Sequence, residues 1–302
     1  MGKLHDFSMS IIDAHTHRYP EEVFLDPSSF ARRQKEDLWL ELVKPSDRKS
    51  LQGWSSGEKM ISDMLVAKVE RAVLQGWYWQ NPSTCKMQND WCAEWISQDP
   101  EKFIGFVSIH SELERPLDEL KKRHDQGFLG IGECHPWAQG SNIRTEKWMK
   151  QMEFACQAKW PVTFHVTEPV GHDYPGKVPT PFEDFLWLAQ KLPELQIILA
   201  HAGGLFPFYE LNPQIRPLFK NFYYDLAACP LLYEPTLYRK LIEVVGHEKI
   251  LWGTDYPLRI FPSSQKVPDF LTFKTLLIEE AHLTESEECA IFGQNLISLF
   301  PC

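Results

Sequence analysis

Several features that would assign this chain to a familiar class of protein are missing from its sequence. The seven cysteines are odd in number, irregularly spaced and form no C-x-x-C pair, so neither a disulfide framework nor a thiolate metal site is expected. No apolar run reaches the roughly 18 residues of a membrane span, and no signal-peptide core is visible near the N-terminus. Glycine-rich phosphate loops and the G-x-S-x-G motif are also absent. These absences favour a reduced, cytoplasmic protein that is neither a P-loop enzyme nor a serine hydrolase.

Positive charge is the scarcer of the two signs. The 302 residues include 31 Lys and Arg against 41 Asp and Glu, which gives a net charge of −10. An acidic surface repels phosphate backbones, so a nucleic-acid partner is not expected. We also expect a small-molecule substrate and no membrane partner. Hydrophobic residues make up 43% and aromatic residues 13% of the chain, enough for one large core. A single domain over residues 1–302 is therefore predicted, with a homodimer as the default assembly.

Short apolar segments recur along the chain, and amphipathic segments alternate with them. The apolar segments are hydrophobic on both faces, as strands buried between a barrel interior and an outer layer of helices should be. The segments between them place apolar residues at helical spacing. Eight such alternations predict a closed parallel (β/α)8 barrel, the TIM barrel. The predicted strands are 9–14, 71–77, 103–109, 128–133, 161–166, 196–201, 221–226 and 249–254, and the predicted helices are 58–70, 87–98, 116–126, 146–159, 181–192, 234–246, 270–282 and 285–292.

The longest departure from this alternation is the segment 18–57, which follows the first strand. It is rich in proline, arginine and tryptophan. A connection of this length in a compact domain usually serves as a lid or a binding segment. We therefore expect residues 18–57 to form a long loop that covers the site or contacts the substrate.

Side chains of the types that bind metal ions lie at the ends of four of the predicted strands. They are His15 and His17 after the first strand, His165 on the fifth, His201 on the sixth and Asp255 after the eighth. In a parallel barrel the carboxyl ends of all strands meet at one rim, so these distant residues would converge. His15 and His17 project from the same face of a strand, within reach of one ion. We predict four metal ligands: His15, His17, His165 and Asp255. His201 would either bind a second ion or polarise the substrate carbonyl.

Glu133 ends the fourth predicted strand and adds a carboxylate to this set. It would either bridge two ions, which lie about 3.5–4 Å apart in paired sites, or accept a hydrogen bond from a ligand. Asp13 shares a strand face with His15 and is a candidate to orient one of the ligands. Three residues are predicted to contact the substrate: His135, Trp79 and Arg259. Arg259 would pair with an anionic group of the substrate.

Four pieces of the chain together resemble the amidohydrolase superfamily, in particular its amidohydrolase-related (amidohydrolase 2) branch: 13–17, His165, 201–204 and 253–257. The resemblance spans nearly the whole chain. It implies a TIM barrel that binds one or two divalent ions, most often zinc. It also implies that the four predicted ligands hold the principal ion and that His201 is an acid–base residue or a second ligand. Glu133 is instead similar to a glutamate of the TatD-like deoxyribonucleases, which use two metals.

Three reactions fit such a site. The main prediction is hydrolysis of a carboxylic ester, lactone or amide, in which the ion lowers the pKa of bound water toward about 7. Asp255 would transfer the proton of that water, and His201 would stabilise the oxyanion. One alternative is the non-oxidative decarboxylation of an aromatic or unsaturated acid, in which His201 or Asp255 protonates carbon. A second alternative is phosphoester hydrolysis by two metals that Glu133 bridges.

Overall fold

Eight parallel strands form one sheet in the computed structural model, which describes residues 10–171 and 173–301. Strands that follow one another in the chain are also neighbours in the sheet. The first predicted strand starts at residue 9, which lies outside the described residues. The strands are β1 (Ile12–Thr16), β2 (Arg71–Leu74), β3 (Phe103–Val107), β4 (Gly130–Cys134), β5 (Val162–Phe164), β6 (Ile197–Leu199), β7 (Phe222–Asp225) and β8 (Ile250–Leu251).

Backbone hydrogen bonds close the sheet between its first and last strands. The amide of Ala14 donates to the carbonyl of Trp252 at 2.9 Å, and the amide of Asp255 donates to the carbonyl of His15 at 2.9 Å. A further parallel bridge joins Thr16 to Tyr256. The chain beyond β8 therefore continues alongside β1, and the predicted (β/α)8 barrel is confirmed.

Helices connect the strands, and most begin and end within two residues of the predicted bounds. The largest difference is the helix after β2, which starts at residue 82 instead of 87 because a proline occupies its first position, where no amide hydrogen is needed. Within the described residues, none of the helices combines the length and the apolar character required to cross a lipid bilayer. The helices are α1 (Glu21–Leu25), α2 (Pro27–Gln34), α3 (Asp37–Val43), α4 (Gly57–Ala67), α5 (Pro82–Gln98), α6 (Pro116–Asp125), α7 (Glu146–Ala158), α8 (Phe182–Lys191), α9 (Cys229–Leu232), α10 (Thr236–Val245), α11 (Leu271–Ala281), α12 (Glu285–Cys289) and α13 (Asn295–Ile297).

The last predicted helix, 285–292, is interrupted after α12 by a π-helical turn, Ala290–Gln294. Gly293 lies in this turn, and a Cβ atom there would collide with the carbonyl oxygen of Ser10. The turn thus lets the C-terminal helices approach the start of β1. Leu296 and Leu299 then pack into a cluster with apolar residues of five strands, which closes this end of the barrel.

Residues 18–57 contain the three helices α1 to α3 and are not the long loop that was expected. Their apolar residues pack with Trp79 and Cys85 into a separate small core, which explains why this segment is ordered without joining the main barrel core. The members of this core are Tyr19, Val23, Phe30, Ala31, Trp39, Val43, Trp79 and Cys85.

Glu36 attaches this segment to the barrel. Its side chain is fully buried, and its two carboxylate oxygens accept hydrogen bonds from the amides of Gln80 at 2.7 Å and Asn81 at 3.0 Å. These amides lie just before the first turn of α5. Backbone donors at the start of a helix have no partner within the helix. One buried carboxylate therefore holds the segment against the start of α5.

Replacing Glu36 by alanine should lower the free energy of unfolding by about 1–3 kcal/mol, because two backbone donors lose their acceptors. Urea denaturation measures this change. Glu41→Ala on the exposed side of α3 is the matched control and should stay within about 0.5 kcal/mol of the parent protein. Equal effects of the two substitutions would contradict the anchoring role of Glu36.

Candidate metal centre

A first group of donor atoms lies at the carboxyl end of β1. The Nε2 atoms of His15 and His17 are 3.3 Å apart, and each lies 3.7 Å from Oε2 of Glu133. A point equidistant from the corners of this 3.3, 3.7 and 3.7 Å triangle lies about 2.1 Å from each atom, which is the length of a zinc–nitrogen bond. Asp255 lies beside this group, with Oδ1 3.4 Å from Nε2 of His17. These three residues can therefore hold a divalent ion, with Asp255 as a further ligand.

A second group contains the other oxygen of Glu133. Its Oε1 lies 2.8 Å from Nδ1 of His165 and 3.2 Å from Nε2 of His201. The two histidine atoms are 3.1 Å apart. Both groups could hold a metal ion, and Glu133 belongs to both. The structure thus places His165 with His201, and Glu133 between this pair and the pair from β1.

The ring nitrogens that face away from the centre show that the donor set fits a cation. Nδ1 of His15 lies 2.9 Å from a carboxylate oxygen of Asp225, and Nδ1 of His201 lies 2.9 Å from the carbonyl oxygen of Ala227. Each of these Nδ1 atoms must carry a hydrogen to form its bond. A neutral ring then directs the lone pair of its Nε2 toward Glu133. Lone pairs that face a carboxylate repel it unless a proton or a metal ion lies between them.

Burial and mutual charge set the ionisation of these groups. Burial alone would raise the pKa of Glu133, but His165 and His15 reverse this and hold its pKa well below the ordinary value. Burial opposes the protonation of His201, yet the hydrogen bond and charge of Glu133 raise its pKa to about 9. At His165 burial prevails and the pKa is lowered. Asp255 is also buried, but the hydrogen bond from His17 and the nearby imidazoles lower its pKa. The centre therefore contains ionised carboxylates and attracts positive charge.

The turn after β6 gives His201 its position. His201, Ala202, Gly203, Gly204 and Leu205 all have φ between 53° and 68°, a left-handed conformation that costs energy for every residue except glycine. Strain of this kind persists only where surrounding contacts maintain it, and it is concentrated at functional sites. The Ala-Gly-Gly sequence after His201 was the visible sign of this close turn.

A cavity of about 370 Å³ opens onto both donor groups. Its aromatic wall includes Trp77 and Tyr78, whose rings are stacked 4.4 Å apart. The segment 18–57 contributes Arg48, whose guanidinium lies 5.1 Å from the ring centre of Tyr174. The further lining residues include His17, Tyr19, Leu42, Val43, Leu51, Gln52, Glu133, His135, His165, Thr167, Glu168, Lys177, Val178, His201, Leu231, Asp255 and Leu258.

Of the three residues predicted to contact substrate, the structure places only His135 in the cavity wall. Trp79 is completely buried in the small core of the segment 18–57, and its indole nitrogen donates to Gln88. The side chain of Arg259 donates to the carbonyl of Ser50, so it fixes the segment instead of facing the cavity. Trp77 and Tyr78 line the cavity, whereas the next residue, Trp79, packs into the small core instead.

His135 is a neutral hydrogen-bonding residue of the cavity. Its Nε2 lies 3.2 Å from the carbonyl oxygen of Val178, and its ring stacks on His165 with centres 5.0 Å apart. Burial lowers the pKa of His135 to about 3. The ring therefore has no charge at neutral pH, and its unprotonated Nδ1 is an acceptor with no partner among the described residues.

Sequence reasoning missed two residues that contact the site. Asp225, and not Asp13, lies against the ring of His15; Asp13 accepts from the amide of His15 and from the amide and hydroxyl of Thr254. The signal for Asp225 was an acidic residue at the end of the seventh predicted strand. Arg48 was hidden in the segment 18–57, where no periodic pattern indicates which arginine faces inward.

With a candidate metal centre at the rim of its barrel, the chain has the architecture of the metal-binding TIM-barrel enzymes. Its family can be stated more closely. The family model described as amidohydrolase matches residues 12–301, so the chain belongs to the amidohydrolase family.

Three decarboxylases are similar to this chain. The 2-amino-3-carboxymuconate-6-semialdehyde decarboxylase of Dictyostelium discoideum is 26% identical over 228 residues, which cover 63% of this chain and 61% of that protein. The 5-carboxyvanillate decarboxylase of Sphingomonas paucimobilis superposes with a TM-score of 0.73 at 16% identity, covering 97% of this chain and 99% of that chain. A dihydroxybenzoic acid decarboxylase of a Polaromonas species, with bound manganese and the inhibitor 2-nitroresorcinol, gives a TM-score of 0.67 at 20% identity and 96% coverage of both chains.

These relatives correct the functional prediction. Hydrolysis of an ester, lactone or amide was the main prediction from the sequence, and it is wrong, because these relatives are decarboxylases. They support the alternative, decarboxylation, instead. The metal motif could not separate the two reactions, since a cation that polarises a carbonyl also holds a carboxylate.

Replacing Glu133 by glutamine should weaken divalent-metal binding at least 10-fold, because the shared ligand loses its charge and one acceptor oxygen. Metal content after dialysis against manganese or zinc, measured by atomic emission, tests this. Glu112→Gln removes an exposed carboxylate that pairs with Lys147 and should leave metal content unchanged. An unaltered ion content in Glu133→Gln would refute the shared role of this carboxylate.

Proposed function

We propose that the chain is a metal-dependent decarboxylase of an aromatic or unsaturated carboxylic acid. The observation that carries this proposal is the position of His201, which lines the cavity with its Nε2 3.2 Å from Oε1 of the shared carboxylate Glu133. This carboxylate raises the pKa of His201 to about 9, which favours a proton donor over a base at this position. Decarboxylation needs an acid that delivers a proton to carbon, whereas hydrolysis by activated water first needs a base. The named activities of the relatives support the same choice.

His15, His17, Glu133 and Asp255 would hold one divalent ion, either manganese or zinc, since nitrogen and oxygen donors accept both. When bound, the ion would supply positive charge that favours the binding of an anionic substrate. His201 delivers the proton of Nε2 to the carbon that bears the carboxylate. The bond between that carbon and the carboxylate then breaks, and carbon dioxide leaves. The proton remains on the carbon in place of the carboxylate.

The cavity wall suits a flat substrate. Trp77 and Tyr78 offer stacked aromatic surfaces beside the centre, and the unprotonated Nδ1 of His135 can accept a hydrogen bond from a substrate hydroxyl. Two cationic side chains, Arg48 and Lys177, line the same cavity. In a chain of net charge −10, these cations favour the entry of an acidic substrate.

The reaction is tested with a panel of carboxyl-labelled hydroxybenzoic and unsaturated dicarboxylic acids, assayed with manganese and with zinc. Labelled carbon dioxide should be released, and in deuterated water the product should gain one deuterium at the former carboxyl position. Incorporation of ¹⁸O from water without loss of carbon dioxide would contradict the proposal. A content of two ions per chain would instead favour the two-metal phosphoesterase alternative.

His201→Asn should lower kcat by about 10²–10⁴-fold, the usual contribution of a general acid, while the ion content stays close to one per chain. The comparison of turnover with metal content separates an acid from a ligand. If the variant loses its metal together with its activity, His201 is a ligand and the proposed acid must be another residue.

Arg48 should determine the preference for substrates with a second anionic group. Its Nε is buried and has no hydrogen-bond partner among the described residues, so a bound anion would supply one. Arg48→Leu should raise KM about 10- to 100-fold for diacids, which corresponds to the loss of a charged hydrogen bond worth about 1.5–3 kcal/mol, and change it little for monoacids. Lys49→Leu alters an exposed neighbour and is the control. An equal rise for monoacids and diacids would count against recognition of a second anion.

A further inference from the structure

Both carboxylate oxygens of Asp225 form hydrogen bonds beside the metal centre. Asp225 is the last residue of β7 and is fully buried. Its Oδ2 lies 2.9 Å from Nδ1 of His15. Its Oδ1 accepts hydrogen bonds from the amides of His201 at 3.1 Å and Ala227 at 3.0 Å. One carboxylate thus contacts a histidine of each donor group.

The contact with His15 determines where the hydrogen of that ring lies. An ionised carboxylate only accepts hydrogen bonds, so Nδ1 of His15 must be the donor. Nε2 is then the nitrogen that is free to bind a cation, and it faces Nε2 of His17 and Oε2 of Glu133. A carboxylate behind a ligating histidine commonly fixes the ring in this way.

The contact with His201 acts through the backbone. Oδ1 of Asp225 holds the amide of Ala227 two residues ahead and the amide of His201 in its left-handed conformation, φ 60°. This arrangement places the carbonyl oxygen of Ala227 2.9 Å from Nδ1 of His201. A carbonyl also only accepts, so His201 carries its fixed hydrogen on Nδ1, and Nε2 faces Glu133 and His165.

We propose that Asp225 is the positioning residue that sets the ring-hydrogen placement of both histidines, that of His15 through Oδ2 and that of His201 through the Oδ1-held turn at Ala227. Both Nε2 atoms are thereby presented to the centre, one as a metal donor and one as the atom that exchanges a proton. The proton-donor role of His201 rests on the proposed decarboxylation. The placement of the two ring hydrogens does not.

Asp225→Asn separates the two functions of this carboxylate. The amide oxygen would remain toward the backbone amides of His201 and Ala227, which require an acceptor, so the NH₂ group would face Nδ1 of His15. His15 must then accept at Nδ1 and carry its hydrogen on Nε2, where it cannot bind a metal. We expect zinc affinity, measured by chelator competition, to fall about 10- to 100-fold, with an unchanged circular dichroism spectrum.

Asp13→Asn is the matched control, because Asp13 is equally buried but contacts only backbone amides and the hydroxyl of Thr254. The hydroxyl can accept from the new NH₂ group, so no ring is affected. Zinc affinity close to that of the parent protein is expected. Equal losses of zinc affinity in both variants would show that Asp225 acts only in packing and would overturn the proposal.

Nuclear magnetic resonance of zinc-loaded protein labelled with ¹⁵N-histidine gives a readout that is independent of activity. In the parent protein, His15 and His201 should both carry hydrogen on Nδ1; in Asp225→Asn, the pattern of His15 should invert or lose its zinc-bound signature while that of His201 persists. A hydrogen on Nε2 of His15 in the parent protein overturns the proposal, even if the variant does not fold. Unchanged zinc affinity in a folded Asp225→Asn variant does so too. A failure to release carbon dioxide would refute the proposed function but leave these ring signals unaffected.

Discussion

The burial of one carboxylate among four imidazoles is the constraint on which the centre depends. Glu133 is almost completely inaccessible to solvent, and an ionised carboxylate in such a place is costly unless positive charge and hydrogen bonds compensate it. Both oxygens of Glu133 face histidine nitrogens. Because outer contacts fix hydrogens on Nδ1 of His15 and His201, the compensating charge must lie between the nitrogens and the carboxylate. A cation at the centre, whether a proton or a metal ion, supplies this charge.

The barrel makes this arrangement possible and made it largely predictable. Apolar segments predicted eight strands, and polar residues at their ends predicted which side chains converge, because the carboxyl ends of all strands in a parallel barrel meet at one rim. His15, His17, Glu133, His165 and His201 were found in this way, and the structure brings them into two overlapping groups. Such reasoning uses only strand periodicity and the direction of the chain.

What the sequence could not show depends on contacts between distant segments. The left-handed turn at His201 is maintained by Asp225, 24 residues further along the chain, and no local pattern encodes this bond. The helices of residues 18–57 form because Trp39 and Phe30 pack against Trp79, an interaction that also removes Trp79 from the cavity. Local periodicity describes single elements, whereas these features are properties of pairs of elements.

The difference between hydrolysis and decarboxylation also lies outside the metal motif. The same donor atoms serve either reaction, so the choice depends on whether the residue beside them gives or takes a proton. In the proposed reaction His201 gives the proton, and the adjacent Glu133 favours this role because its charge outweighs burial and raises the pKa of the ring. A histidine in the same place without such a neighbour would be neutral at pH 7 and suited to act as a base. The position of one carboxylate on β4 therefore bears on both the binding of the ion and the direction of proton transfer.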